Sequence, residues 1–325
     1  MIRHLGRFGA RFSVITIVAL AIVACASTLS RDELAIEYYN IGSAYFDLEQ
    51  LDKSATYLTR AIDLSPGLAR ASYNLARVYV LQGRHESAID LLDDLLAEDP
   101  GNTLVMSTIA YTYYLEGDPE QAARWYDRAL SLSPTDLDLL QNRATVAMDE
   151  GDYAVAATLL RRAVDLTDER PVAFLTLARA ERALGNDEAA IAAYRQYLGR
   201  TPTPSPGALF GLAEVLEAQE YYADALDSLE RITADEGVDP AVRSRAHFRR
   251  GRLFLTMARD EEFGMDSVRA ALDLGFDNAD DAAALLASAP PAVVDELRAL
   301  FVSVGLLGPE GVPDVPQPSP NDTAP

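Results

Sequence analysis

Few side chains in this sequence could do covalent chemistry, and they are scattered. Lys53 is the sole lysine, so Schiff-base chemistry has one candidate, and it falls at a helix start with no sign of burial. His4, His85 and His247 are too far apart to read as a metal cluster. Cys25 is the sole cysteine, which excludes an intramolecular disulfide framework. Paired acids such as "LLDDLL" fit a solvated helix face better than acid–base catalysis. The sequence has no glycine-rich phosphate loop, no zinc-ligand spacing and no G-x-S-x-G. No cofactor or metal is therefore expected. Arginine and tyrosine remain, and their chemistry is recognition.

The composition narrows the partners. The 325 residues are 49% hydrophobic, enough for a substantial core, and carry a formal charge of −22. Such a surface repels nucleic acid and anionic headgroups, whose binding depends on neutralising phosphate. The acidity reads either as a choice of basic partners or as plain solubility.

The opening "MIRHLGRFGAR" is basic, and "FSVITIVALAIVA" follows from Phe12 to Ala24. As a helix that run reaches about 20 Å at ~1.5 Å per residue, short of the roughly 30 Å hydrocarbon core. Basic flank and short apolar run together describe an export signal over residues 1–24, with an uncleaved anchor as the alternative.

Three prolines, Pro66, Pro100 and Pro134, close similar segments 34 residues apart. With repeats set at Ala35, Ala69, Thr103, Leu137 and Pro171, position 8 reads Gly42, Ala76, Ala110, Ala144 and Ala178. Position 20 reads Ser54, Ala88, Ala122, Ala156 and Ala190, and position 15 reads Glu49, Gly83, Gly117, Gly151 and Gly185. Small residues at 8 and 20 allow two helices to approach closely. Glycine at 15 ends the first helix in a left-handed residue. Proline at 32 stops the second. Large apolar residues such as Tyr38, Ile41, Leu58 and Ile62 recur at helical spacing between them. Each repeat is thus expected to be two antiparallel helices joined by a tight turn.

This pattern resembles the tetratricopeptide repeat. The resemblance implies an all-α, right-handed α-solenoid of about seven helix pairs over residues 35–274, starting near 35, 69, 103, 137, 171, 206 and 241. The sixth pair has Glu220 in place of the turn glycine, and the seventh carries a one-residue insertion near "ARDEEF". Arg143 and Arg250 stand where leucine usually packs, and Tyr197 where alanine does. C-terminal capping helices are expected over residues 275–307, then a disordered proline-rich tail, 308–325. "IVAC", Ile22 to Cys25, is similar to the lipobox of bacterial lipoproteins. That similarity implies acylation at Cys25, a lipidated tether over residues 25–34, and export to the cell envelope. Ala26 and Ser27, with no aspartate after the cysteine, favour the periplasmic face of the outer membrane.

In repeats of this kind the first helices line a concave groove that takes an extended peptide or a helix. By resemblance, groove positions 2, 5, 9 and 12 here include Tyr39, Phe46, Arg70, Tyr73, Arg77, Tyr111, Tyr114, Arg179 and Arg182, then Phe210, Glu214 and Glu217, and Arg245, Phe248 and Arg252. Tyrosine and arginine carry much of the energy in many interfaces. Met by Arg70, Arg77, Arg179 and Arg182, an acidic or carboxylate-ended segment is the expected ligand; the alternative is that these arginines pair with neighbouring glutamates. Asn40, Asn74 and Asn142 share position 6, but the lysines of the carboxylate-clamp subclass are missing. The cluster "RSRAHFRRGR" either docks an acidic partner or neutralises nearby acidic helices. Two functions follow: a lipid-anchored scaffold for protein–protein interaction in the envelope, or an envelope enzyme with an unrecognised site in the C-terminal region.

Overall fold

The computed structural model describes residues 30–308 together with 310 and 311. The export signal, Cys25 and the tail from 312 onwards lie outside the described residues. Sixteen α-helices and no strand occur among the described residues. The chain divides at Leu139/Leu140 into two compact units.

The N-terminal unit is three helix pairs. They are α1 (Arg31–Asp47) with α2 (Leu51–Leu64), α3 (Ala69–Leu81) with α4 (His85–Glu98), and α5 (Thr103–Glu116) with α6 (Pro119–Leu132). The first helix begins at Arg31, so the last four residues assigned above to a tether are helical. Their reason is a reciprocal cap: Glu33 N–H donates to the Ser30 hydroxyl at 3.2 Å, and Ser30 N–H donates to the Glu33 carboxylate at 2.7 Å. Asn102 and Asp118 cap α5 and α6 in the simpler way, accepting from the N–H of Val105 and of Gln121.

The C-terminal unit begins within α7 (Leu137–Asp149), which pairs with α8 (Tyr153–Leu166). The next pairs are α9 (Pro171–Ala183) with α10 (Asp187–Arg200), α11 (Pro206–Ala218) with α12 (Tyr222–Thr233), and α13 (Pro240–Leu253) with α14 (Glu261–Asp273). Two helices follow, α15 (Ala279–Ser288) and α16 (Pro291–Ser303). They close the last repeat: Leu285, Leu297 and Phe301 are fully buried in one cluster with Phe248, Leu255 and Val268.

The small positions hold each pair together. Ala76, Ala88, Ala110, Ala122, Ala144, Ala156, Ala178, Ala190, Ala213 and Ala225 are all fully buried. Where position 20 is a serine, Ser54, its hydroxyl donates to the Gly42 carbonyl at 2.8 Å, so the buried oxygen is satisfied. A Cβ on Gly42 would come 2.8 Å from Leu58 Cγ, which shows how little space the contact leaves.

The irregular seventh pair has a physical explanation. Its two closest small residues, Gly251 and Gly264, stand 13 apart, against 12 for Ala76 and Ala88. The extra residue is absorbed by a π-turn over Phe254–Ala258, closed by Arg259 N–H donating to the Phe254 carbonyl, which also accepts from Asp260 N–H at 3.0 Å. Arg259 then takes the left-handed conformation, φ 54°, in the place of the turn glycine.

Arg143 is buried, with Glu150 at 4.0 Å from its Nη1. Arg250 instead reaches Glu230 at 3.2 Å while lying against the Phe254 ring. Tyr197 is buried, and its hydroxyl accepts from Ser205 N–H at 3.3 Å, so it fills the space beneath the proline-rich turn.

Turn position 15 keeps its geometry even without glycine. Gly83, Gly117, Gly151 and Gly185 have φ between 71° and 84°, and Glu49 and Glu220 follow at 57° and 61°. A side chain in that region costs about 1–2 kcal/mol, partly offset by the greater freedom glycine has when unfolded. Glu49→Gly and Glu220→Gly should therefore each stabilise the chain by about 0.5–1 kcal/mol, read as a rise in urea midpoint with unchanged slope. Unchanged or lower midpoints for both would contradict this strain.

Candidate peptide-binding faces

In the N-terminal unit the first helices of successive pairs bring Tyr39, Arg70, Tyr73 and Arg77 together. The Arg70 guanidinium lies 4.6 Å from the centre of the Tyr39 ring. That of Arg77 lies 4.5 Å from the Phe46 ring and 6.0 Å from Tyr73. Neither arginine makes an ion pair among the described residues; both are exposed. A cation over an aromatic face keeps its N–H edges available to a ligand, because the ring engages the plane of the guanidinium.

Side-chain hydrogen bonds tie these helices to one another. Asn74 donates to the Ser43 hydroxyl at 3.1 Å. Tyr73 and Thr108 hydroxyls are 3.1 Å apart; Thr108 gives its own proton to the Leu104 carbonyl at 2.9 Å, so the tyrosine is the donor. Tyr111 is 44% exposed, with the Tyr114 ring 6.4 Å away. Beneath them Tyr126 is buried, and burial, then the neighbouring Tyr111, pushes its phenol well above the usual range despite a hydrogen bond with Ser107. A hollow of about 350 Å³ opens beside Arg70 and Tyr73, with Glu98 and Asp99 on its rim.

The corresponding face of the C-terminal unit is wired differently. Arg182 pairs with Glu214. Arg249 reaches Glu214 at 3.2 Å and Glu217 at 3.0 Å, and Arg252 reaches Glu217 at 2.5 Å. Here the alternative of arginines paired with glutamates describes Arg182; Arg179 is exposed and makes no ion pair among the described residues. These pairs span α9, α11 and α13, one between α9 and α11 and three between α11 and α13. Beside them is a cavity of about 900 Å³ that includes Phe210, Arg245, Phe248 and Phe276.

The sequence reading missed two things. One is the stacking of Arg70 and Arg77 on rings, since periodicity gives a face but not a rotamer. The other is Phe276 with α15 as part of the cavity wall; a lone apolar residue in "LGFDNADD" carries no periodic signal. Of the five arginines in "RSRAHFRRGR", Arg249, Arg250 and Arg252 make internal ion pairs.

On the flank of α13, His247 is half-buried between Arg243 and Arg250, and its Nδ1 has no hydrogen-bond partner among the described residues. Burial foremost, then Arg250 and Arg243, holds its imidazole below the ordinary value of 6.5. The folded chain therefore keeps His247 neutral where the unfolded chain protonates it. Between the lowered folded value and 6.5 the unfolded state binds more protons, so this contribution to stability is complete above 6.5, falls as pH drops through that window and falls no further below it. His247→Asn should flatten that part of the curve, seen as a smaller loss of urea midpoint between neutral and mildly acidic pH than in the parent chain. Parallel curves would contradict it.

Models of the tetratricopeptide repeat match residues 39–103, 104–136, 142–205 and 175–240. Among solved structures, pilF of Pseudomonas aeruginosa superposes with a TM-score of 0.53 at 19% identity, covering 63% of this chain and 92% of that one. A tetratricopeptide repeat protein from Parabacteroides merdae gives 0.52 at 18%, covering 83% and 99%. PilW, a widely conserved type IV pilus biogenesis factor, gives 0.53 at 17%, covering 62% and 93%. At these identities the likeness is one of fold. No curated protein sequence matches the chain.

Proposed function

The chain belongs to the tetratricopeptide repeat family, and from that premise we propose that it is a lipid-anchored scaffold that binds a protein partner in the cell envelope. The observation that carries the binding half is the pair Arg70 and Arg77, held over the Tyr39 and Phe46 rings with no ion pair among the described residues. In a chain of net charge −22, exposed cations left without acids mark a place where an acidic segment gains more than solvent offers. Tyr111 and Tyr114 extend the same first-helix face with broad, rigid contact area at small entropic cost. Arg179, exposed and without an ion pair among the described residues, adds charge to the face of the C-terminal unit, where Arg182 is paired with Glu214.

Support for the anchoring half is in the sequence: a basic opening, a short apolar run and a lone Cys25 at its end. Several acyl chains give stable attachment where one is marginal. Helix α1 starts at Arg31, so the tether after Cys25 is five residues, under about 20 Å at ~3.5 Å each. The binding face thus works close to the bilayer, on the periplasmic side of the outer membrane in this reading. PilW, with the same fold, is a pilus biogenesis factor; a comparable envelope assembly is the setting we favour here.

Two measurements test the two halves. Arg70→Glu combined with Arg77→Glu should weaken binding of an acidic partner segment at least tenfold, or about 1.4 kcal/mol, in affinity capture from membranes followed by titration of the captured protein. Equal affinity would remove the N-terminal face from the reading. Cys25→Ser, in a chain still exported and trimmed, should move the protein from the membrane to the soluble fraction. Unchanged partition would remove the lipid.

A further inference from the structure

We propose that the cavity at α11, α13 and α15 is a second, separate docking site, built for an acidic peptide segment that carries one bulky apolar residue. The inference rests on the scaffold reading but uses none of the N-terminal residues. The cavity holds about 900 Å³, within the size range of ligand sites. Its floor is apolar: the rings of Phe248 and Phe276 stack with centroids 3.9 Å apart and planes 5° from parallel, and Phe210 adds a third. Phe248 and Phe276 are themselves buried, so the floor is held rigid by the core cluster beneath it. A preformed apolar floor takes a side chain without the cost of ordering its walls.

The rim decides the chemistry of the occupant. Arg245, Arg249 and Arg252 line the cavity against Glu214 and Asp281. Arg249 and Arg252 belong to a chain of ion pairs that begins and ends in arginine: Arg182, Glu214, Arg249, Glu217, Arg252. Three cations over two anions leave that chain with one positive charge in excess. Arg245, one turn before Phe248 on the same helix, is exposed and makes no ion pair among the described residues. This positive rim stands on a protein of net charge −22, so it selects against the protein's own surface and for a carboxylate-bearing ligand. Arg245 and Phe248, three apart on a helix, project side by side. An acid close to an apolar anchor in the ligand can therefore reach Arg245 while the anchor sits on the rings. The helix α15 lies outside the seven repeats, yet supplies Asp281 and Ala284 to the wall. The closing helices thus do more than cover the last repeat.

The test is fluorescence anisotropy of the purified full chain with a fluorescein-labelled peptide Asp-Glu-Phe-Asp-Glu. The parent chain should bind it. Replacing the phenylalanine by alanine, or the acids by their amides, should lower affinity by at least about tenfold. Arg245→Glu, at an exposed position, and Ala284→Trp, which fills the cavity from an exposed helix position, should each do the same with unchanged helical circular dichroism and melting. If both variants bind like the parent while Arg70→Glu with Arg77→Glu abolishes binding, the cavity is not the site and the N-terminal face stands alone. No binding by the parent chain, or equal binding of the amide peptide, also overturns the proposal.

Discussion

Everything in this fold depends on two helices coming close enough that one side of the contact has no side chain to spare. Gly42 against Leu58, Gly251 against Val268 and Gly264 against Leu255 would each place a new Cβ under 3 Å from a neighbour. Alanine does the same work in the other pairs, fully buried at both small positions. Dispersion falls off steeply with distance, so a backbone brought this near gains contacts along its whole length. Within each compact unit, neighbouring pairs then pack on one another.

That constraint releases one helix face from packing duty. The residues at positions 2, 5, 9 and 12 of the first helices are free to take polar or aromatic character, and the two units use that freedom differently. In the N-terminal unit arginines lie on rings, with edges left to solvent. In the C-terminal unit arginines and glutamates alternate across three helices. The first arrangement leaves its cations exposed and without ion pairs among the described residues. The second spends most of its charge internally and keeps a small positive excess beside an apolar floor.

Irregular repeats show how tolerant the scheme is. Glu49, Glu220 and Arg259 occupy left-handed turns that glycine holds elsewhere. The inserted residue of the seventh pair is taken up within one turn of helix, and the Gly251–Gly264 approach survives it. The tertiary contact overrides the local preference because several buried residues rely on it, while the turn strain is confined to one residue.

The sequence alone determined the helix pairs, their turns and their period, because small residues, glycine and proline act through local sterics that recur every 34 positions. Laid on that period, the resemblance to the tetratricopeptide repeat put Tyr39, Arg70, Tyr73 and Arg77 at groove positions. Rotamers and partners were decided by tertiary structure. Whether an arginine lies on Phe46 or pairs with Glu214 depends on which side chain a different helix offers, some 31 or 32 residues away. Phe276 became part of a cavity floor only when the chain after the last repeat folded back onto Phe248, a long-range contact that no local pattern encodes.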